Sequence, residues 1–256
     1  MEDKNISKAL LAELVGTFFL VLSIIVAVSV YAGVGGGKLL PNVVIPFVAL
    51  AHGAVLFIMI QALGAISGGH FNPAVTSGLL SIKKIAPSTA GAYIVVQVIG
   101  ATLAAFLLAA VLPDQADIVK FGSPSISPEI TLGAGIVLEA LFTFTLVWTI
   151  VATAVNPDGP KEWAPLAIGS ALALGVLLIG SLTGGSFNPA RAFGPDLANA
   201  IFGDHGGFGD IKDFLLAYVI APIAGGVLAA TLYNSLYIKP ADAIPPSPAP
   251  SEQSPL

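Results

Sequence analysis

Six stretches of this chain, at roughly 9–31, 43–66, 89–112, 131–155, 164–182 and 214–237, run almost without charge. At 1.5 Å rise per residue each is long enough, as a helix, to cross a hydrocarbon core of about 30 Å. A chain that must hide six such stretches can fold stably only in a bilayer, as an all-α membrane protein. Composition agrees, because 55% of the residues are hydrophobic and only 10% are charged, whereas a soluble surface needs about 25%. The first stretch follows Lys4 and Lys8 but exceeds the 7–15 residues of a signal-peptide core, so it reads as a retained span. With the N-terminus inside, Lys4, Lys8, Lys83, Lys84, Lys161 and Lys239 fall on the inner side and Lys38, Lys120 and Lys212 on the outer. This bias predicts cytoplasmic termini, and the expected location is the cell membrane.

Two apolar pieces, 71–80 and 187–201, are left over and are too short to span. Gly68-Gly69-His70-Phe71-Asn72-Pro73-Ala74 opens the first, and Gly184-Gly185-Ser186-Phe187-Asn188-Pro189-Ala190 opens the second. The likeness extends upstream, where Ala12-Glu13-Leu14-Val15-Gly16-Thr17-Phe18 parallels Leu138-Glu139-Ala140-Leu141-Phe142-Thr143-Phe144. The chain is therefore two copies of a three-span unit, about 6–112 and 131–238, forming one membrane domain over 1–240. Three is odd, so the second copy inserts upside down, an arrangement that puts a functional site at the bilayer midplane.

Asn is a favoured helix N-cap and Pro suits the first helical position, so each Asn-Pro-Ala marks a helix start. About nine or ten residues of helix cover half a membrane, and two such half-helices entering from opposite sides meet near the centre. Irregular backbone such as the Gly-Gly segments is tolerated at that depth only inside protein or beside a wet cavity, which points to a pore. Facing helix N-termini place positive potential at the midplane, a barrier to cations and protons. The amides of Asn72 and Asn188, where they are not used as caps, can donate to a passing neutral molecule.

Other classes find little support. A net charge of −5 with ten scattered basic residues offers no nucleic-acid surface. The absence of Cys removes disulfides and thiolate chemistry. His52, His70 and His205 are widely spaced and no HExxH occurs, so no metal site or cofactor is expected. No nucleophile–base pair suggests an enzyme. Residues 33–38 superficially resemble a phosphate loop but follow a membrane helix and lack Ser or Thr after Lys38, so they read as an outer loop. The tail 241–256, rich in Pro, is predicted to be disordered.

Paired Asn-Pro-Ala motifs, each preceded by Gly-Gly-X-Phe, in an inverted repeat with a Glu in each first helix, resemble the aquaporin or major intrinsic protein family. The resemblance covers about residues 6–238, including Arg191 directly after the second motif. It implies six transmembrane helices plus two re-entrant half-helices, and a homotetramer in which each subunit has its own passive pore for water or small neutral solutes. It further implies an outer constriction of His52, Val176, Gly185 and Arg191, and a pore centre of Asn72, Pro73, Ala74, Asn188, Pro189 and Ala190. This constriction looks like that of plant tonoplast intrinsic proteins, which pass water and in several cases ammonia, urea or hydrogen peroxide. Glycerol facilitators usually carry Asp after the Arg and Lys four positions later, where this chain has Ala192 and Asp196, but aliphatic Val219 and Ile220 before Pro222, where water-type members often carry aromatics, keep a glycerol-type facilitator as the alternative.

Glu13 and Glu139 are intramembrane carboxylates, so a proton-coupled transporter is the rival reading. The family likeness assigns them instead to holding the re-entrant loops, with His70 bracing loop backbone. His205 is expected to be a solvated loop group. Gly16, Gly53, Gly91, Gly100, Gly175, Gly225 and Gly226 are expected to permit close helix packing.

Overall fold

The computed structural model describes residues 3–33 and 41–238; most of the predicted 33–38 loop, Lys38, Lys239 and the tail 241–256 lie outside them. All described regular structure is helical: α1 Asp3–Val28, α2 Pro41–Ser67, α3 Pro73–Ser81, α4 Pro87–Val111, α5 Pro113–Ile118, α6 Leu132–Ile150, α7 Ala164–Thr183, α8 Pro189–Phe202, α9 Ile211–Phe214 and α10 Ala221–Tyr237. Wider π turns extend α1 over Ser29–Gly33 and α6 over Val151–Val155, and Leu215–Ile220 joins α9 to α10.

Six helices among the described residues are long and apolar enough to cross a membrane: Ile6–Tyr31, Val44–Ser67, Pro87–Val111, Leu132–Val155, Lys161–Thr183 and Ile211–Tyr237. They match the six apolar runs to within a few residues. Six crossings return the chain to its starting face. Large apolar side chains such as Leu50, Val95, Val137 and Leu178 are exposed along the spans, where lipid would meet them.

The two leftover pieces form α3 and α8. Each is capped by its Asn, with φ −158° at Asn72 and −151° at Asn188, and has Pro at its first turn. α3 has nine residues, but α8 has fourteen, more than the expected nine or ten. It continues until the Gly203 N–H closes on the Asn199 carbonyl at 3.1 Å.

Packing carries the repeat. α1 lies on α2 and α4 as α6 lies on α7 and α10, and each half-helix packs against the last span of the other copy, α3 on α10 and α8 on α4. α2 and α7 also pack together, at a contact that glycine permits: a Cβ on Gly53 would stand 2.6 Å from the Gly169 carbonyl oxygen. Gly91 departs from that expectation within the single chain, because a Cβ there meets no atom of the described residues within 4 Å.

Candidate functional site

The Gly-Gly-X-Phe segments fold the same way twice. Gly68, Gly69 and Phe71 have φ of 95°, 66° and 48°, and Gly184, Gly185 and Phe187 have φ of 81°, 55° and 53°. Glycine accepts this left-handed backbone freely, but phenylalanine does so at a cost of order 1–3 kcal/mol. Both Phe side chains are fully buried, so the surroundings must hold the strained turn.

The carboxylates do that. Glu13 Oε1 accepts from Ser67 Oγ at 2.7 Å and His70 N at 2.9 Å, and its Oε2 accepts from Phe71 N at 2.7 Å and Gln97 Nε2 at 2.8 Å. Glu139 Oε1 accepts from Thr183 Oγ1 at 2.7 Å and Ser186 N at 3.0 Å, while Oε2 accepts from Phe187 N at 2.8 Å. Four donors fill the four lone-pair directions of Glu13, which leaves no place for a proton.

The two helix starts meet. Asn72 Oδ1 caps its own helix at Ala74 N, 2.8 Å, and Asn188 Oδ1 caps Ala190 N at 3.0 Å and Arg191 N at 3.2 Å. Because both oxygens accept from backbone N–H groups, both NH2 groups point the other way. Asn72 Nδ2 donates to the Phe187 carbonyl at 2.8 Å and Asn188 Nδ2 to the Phe71 carbonyl at 2.9 Å. Each amide thus uses one hydrogen to tie the copies together and retains a second. Asn72, Asn188, His70 and Ser186 line one narrow cavity of about 60 Å³, together with His52 and Arg191. That is room for a few waters.

Of the positions expected at the constriction, His52 and Val176 each line a cavity with Arg191. Its Nη1 donates to the Gly122 carbonyl at 2.9 Å, and its Nε is buried without a partner. His52 Nδ1 lies 2.7 Å from the Val48 carbonyl, which can only accept, so Nδ1 carries the hydrogen and Nε2 is an unpartnered acceptor. Val176 lines a second cavity of about 220 Å³, on the side away from the Asn pair, and Arg191 lines both. The two cavities therefore adjoin at Arg191. Gly185 packs on Val176, and a Cβ there would lie 3.3 Å from Val176 Cα.

His70 departs from the expected contact with loop backbone. Its Nδ1 lies 3.1 Å from Thr76 Oγ1 in α3, and its ring meets Tyr93 edge-on at 5.2 Å. His205 is 45% exposed, with Asp117 3.8 Å away. No group of three metal-ligating side chains lies together among the described residues.

Sequence reasoning missed several supports. Gln97 joins Glu13 to Thr76. Tyr93 and Tyr218 each donate their hydroxyl to a carbonyl at the end of the span before the loop, Ser67 and Thr183, at 2.8 and 2.9 Å. The repeat is the signal that pairs the tyrosines, but it is blurred because Tyr93 follows Asn72 by fewer residues than Tyr218 follows Asn188. Gly122 has no motif to mark it.

Comparison with known proteins decides the family. The family model described as "Major intrinsic protein" matches residues 1–233. The chain belongs to the major intrinsic protein family. Among its relatives, Aquaporin AqpM of Methanothermobacter thermautotrophicus is 36% identical over 91% of this chain and 98% of that protein. Aquaporin TIP2-1 of Arabidopsis thaliana is 35% identical over 93% of this chain and 90% of that protein. The aquaglyceroporin of Plasmodium falciparum shares the fold, with a TM-score of 0.77 at 24% identity over 90% of this chain and 96% of its own. As a major intrinsic protein the chain is an integral, multi-pass membrane protein and a passive channel of the kind that carries water, not an enzyme.

Proposed function

We propose that this channel conducts water and small neutral solutes such as ammonia, urea and hydrogen peroxide, and excludes ions and protons. The observation that carries the reading is the meeting of two capped helix starts, each offering one free amide hydrogen at Asn72 and Asn188. Positive helix ends and the Arg191 guanidinium oppose cations there, while a neutral solute exchanges water hydrogen bonds for those of the two amides. His52, Val176, Gly185 and Arg191 form the constriction, with His52 Nε2 as acceptor and Arg191 as donor. Glu13 and Glu139 hold the loops, and His70 braces the first turn of α3 at Thr76. The working unit is a homotetramer in the cell membrane with both termini cytoplasmic, and the chain is one channel domain with a disordered tail.

The full set of donors on Glu13 supports a brace rather than a proton carrier. Ala192 and Asp196 argue against glycerol as the main solute, since facilitators usually carry Asp and Lys there. Solute flux tests the reading. In proteoliposomes, Val176→His narrows the constriction, so ammonia and urea uptake should fall several-fold more than water permeability. Equal loss of all three removes Val176 from the constriction.

A further inference from the structure

A third cavity, of about 420 Å³, opens on the face opposite the termini, between the 120–132 segment and the 205–218 segment. Its size is that of a small-molecule site. Ser123 and Pro124 separate it from the space beside Arg191, since they line both, so it lies next to the pore without being part of it.

Two acceptors on its wall lack donors. Asp196 is 6% exposed; its Oδ1 accepts from Phe208 N at 3.2 Å, its buried Oδ2 has no hydrogen bond of ordinary geometry, and Arg191, then the hydroxyl of Ser123 and Lys120, are the neighbours that steady its charge. Asn199 is 2% exposed; its Nδ2 donates to the Gly206 carbonyl, but its buried Oδ1 is unpartnered. Buried acceptors without donors are rare and costly. Asp210 and Asp213 add two carboxylates to the lining, against Lys120 and His205. His205 lies 3.8 Å from Asp117. The cavity is thus acidic.

Its remaining wall is aromatic. Phe208 and Phe214 stand edge to face at 5.0 Å, and Tyr218 lies 5.9 Å from Phe214. A carboxylate beside aromatic rings suits a cation that carries an apolar body. A bare metal ion is disfavoured, because no three ligating side chains converge among the described residues.

We propose that this side cavity binds a small organic cation, a protonated amine or amidine, whose head pairs with Asp196 and whose body lies on Phe208 and Phe214. The inference is independent of which solute the pore conducts. Calorimetric titration of the purified full-length channel with benzamidine and with its neutral isostere benzamide tests it. The expected result is saturable benzamidine binding at least about tenfold tighter than that of benzamide, a difference of about 1.4 kcal/mol. Asp196→Asn, which keeps an acceptor for Phe208 N–H, should bring the two ligands to within about twofold of each other. Asp213→Asn, which leaves that hydrogen bond untouched, should weaken benzamidine about threefold, and it decides the matter if the Asp196 variant does not fold. Equal binding of the two compounds, no saturation, or an unchanged preference in a folded variant overturns the proposal.

Discussion

Replacing Glu13 by Gln separates a structural brace from a proton carrier, because it keeps shape and removes charge. Glu13 has two donors on each oxygen, so the new NH2 must face two of them. Placed at the Oε2 position, it meets Phe71 N–H and the Gln97 amide. Gln97 can turn over, since its Oε1 is buried without a partner and can accept from the new NH2. Phe71 N–H cannot turn, and it is left unpaired in a buried, left-handed residue. An unsatisfied buried donor costs about 1–3 kcal/mol. At a rough 2–4 °C per kcal/mol for a chain of this size, a loss of about 2 kcal/mol lowers the unfolding temperature by about 4–8 °C. Glu13→Ala strands both His70 and Phe71 N–H, so its loss should be about 2–6 kcal/mol. Thermal unfolding in detergent gives the stability, and stopped-flow shrinkage of proteoliposomes well below the transition gives conduction. Reduced stability with water flux retained in Glu13→Gln is the expected outcome. Unchanged stability, with loss of a flux that depends on a pH gradient, would refute the brace.

Arg191→Val removes the donor and the fixed charge beside His52; larger neutral solutes should enter and proton exclusion should weaken, both read in proteoliposomes, and an unchanged solute profile removes Arg191 from the constriction. Two glycine substitutions form a matched pair: a Cβ at Gly225 would stand 2.1 Å from the Ala140 carbonyl oxygen, whereas one at Gly91 meets nothing. Gly225→Ala should therefore destabilise the bundle by about 1–3 kcal/mol, while Gly91→Ala should be neutral or stabilise by up to about 1 kcal/mol. Equal unfolding temperatures for the two proteins would contradict the packing described.

The spans were legible because lipid imposes a simple rule, about twenty apolar residues per crossing, and the six runs obey it. The half-helices were legible for a different reason. Asn72 and Asn188 are caps and the prolines that follow are first-turn residues, so the motif encodes a helix start locally. Glu13 and Glu139 could be assigned to the loops because the repeat placed them equivalently. Contacts that depend on connections of unequal length were not legible. Gly122 meets Arg191 through its carbonyl, an atom every residue has, so its identity carries no signal. The ring of His70 found Thr76, one helical turn past the Asn72 cap, rather than the loop.

The central claim is passive, proton-excluding water conduction through the space between Asn72 and Asn188. The most direct measurement is stopped-flow shrinkage of proteoliposomes under osmotic shock, with an internal pH dye recorded under an imposed membrane potential. The account predicts shrinkage much faster than in empty vesicles, with a low activation energy and a silent dye. Shrinkage no faster than in empty vesicles, or a dye response that follows the potential, would contradict it.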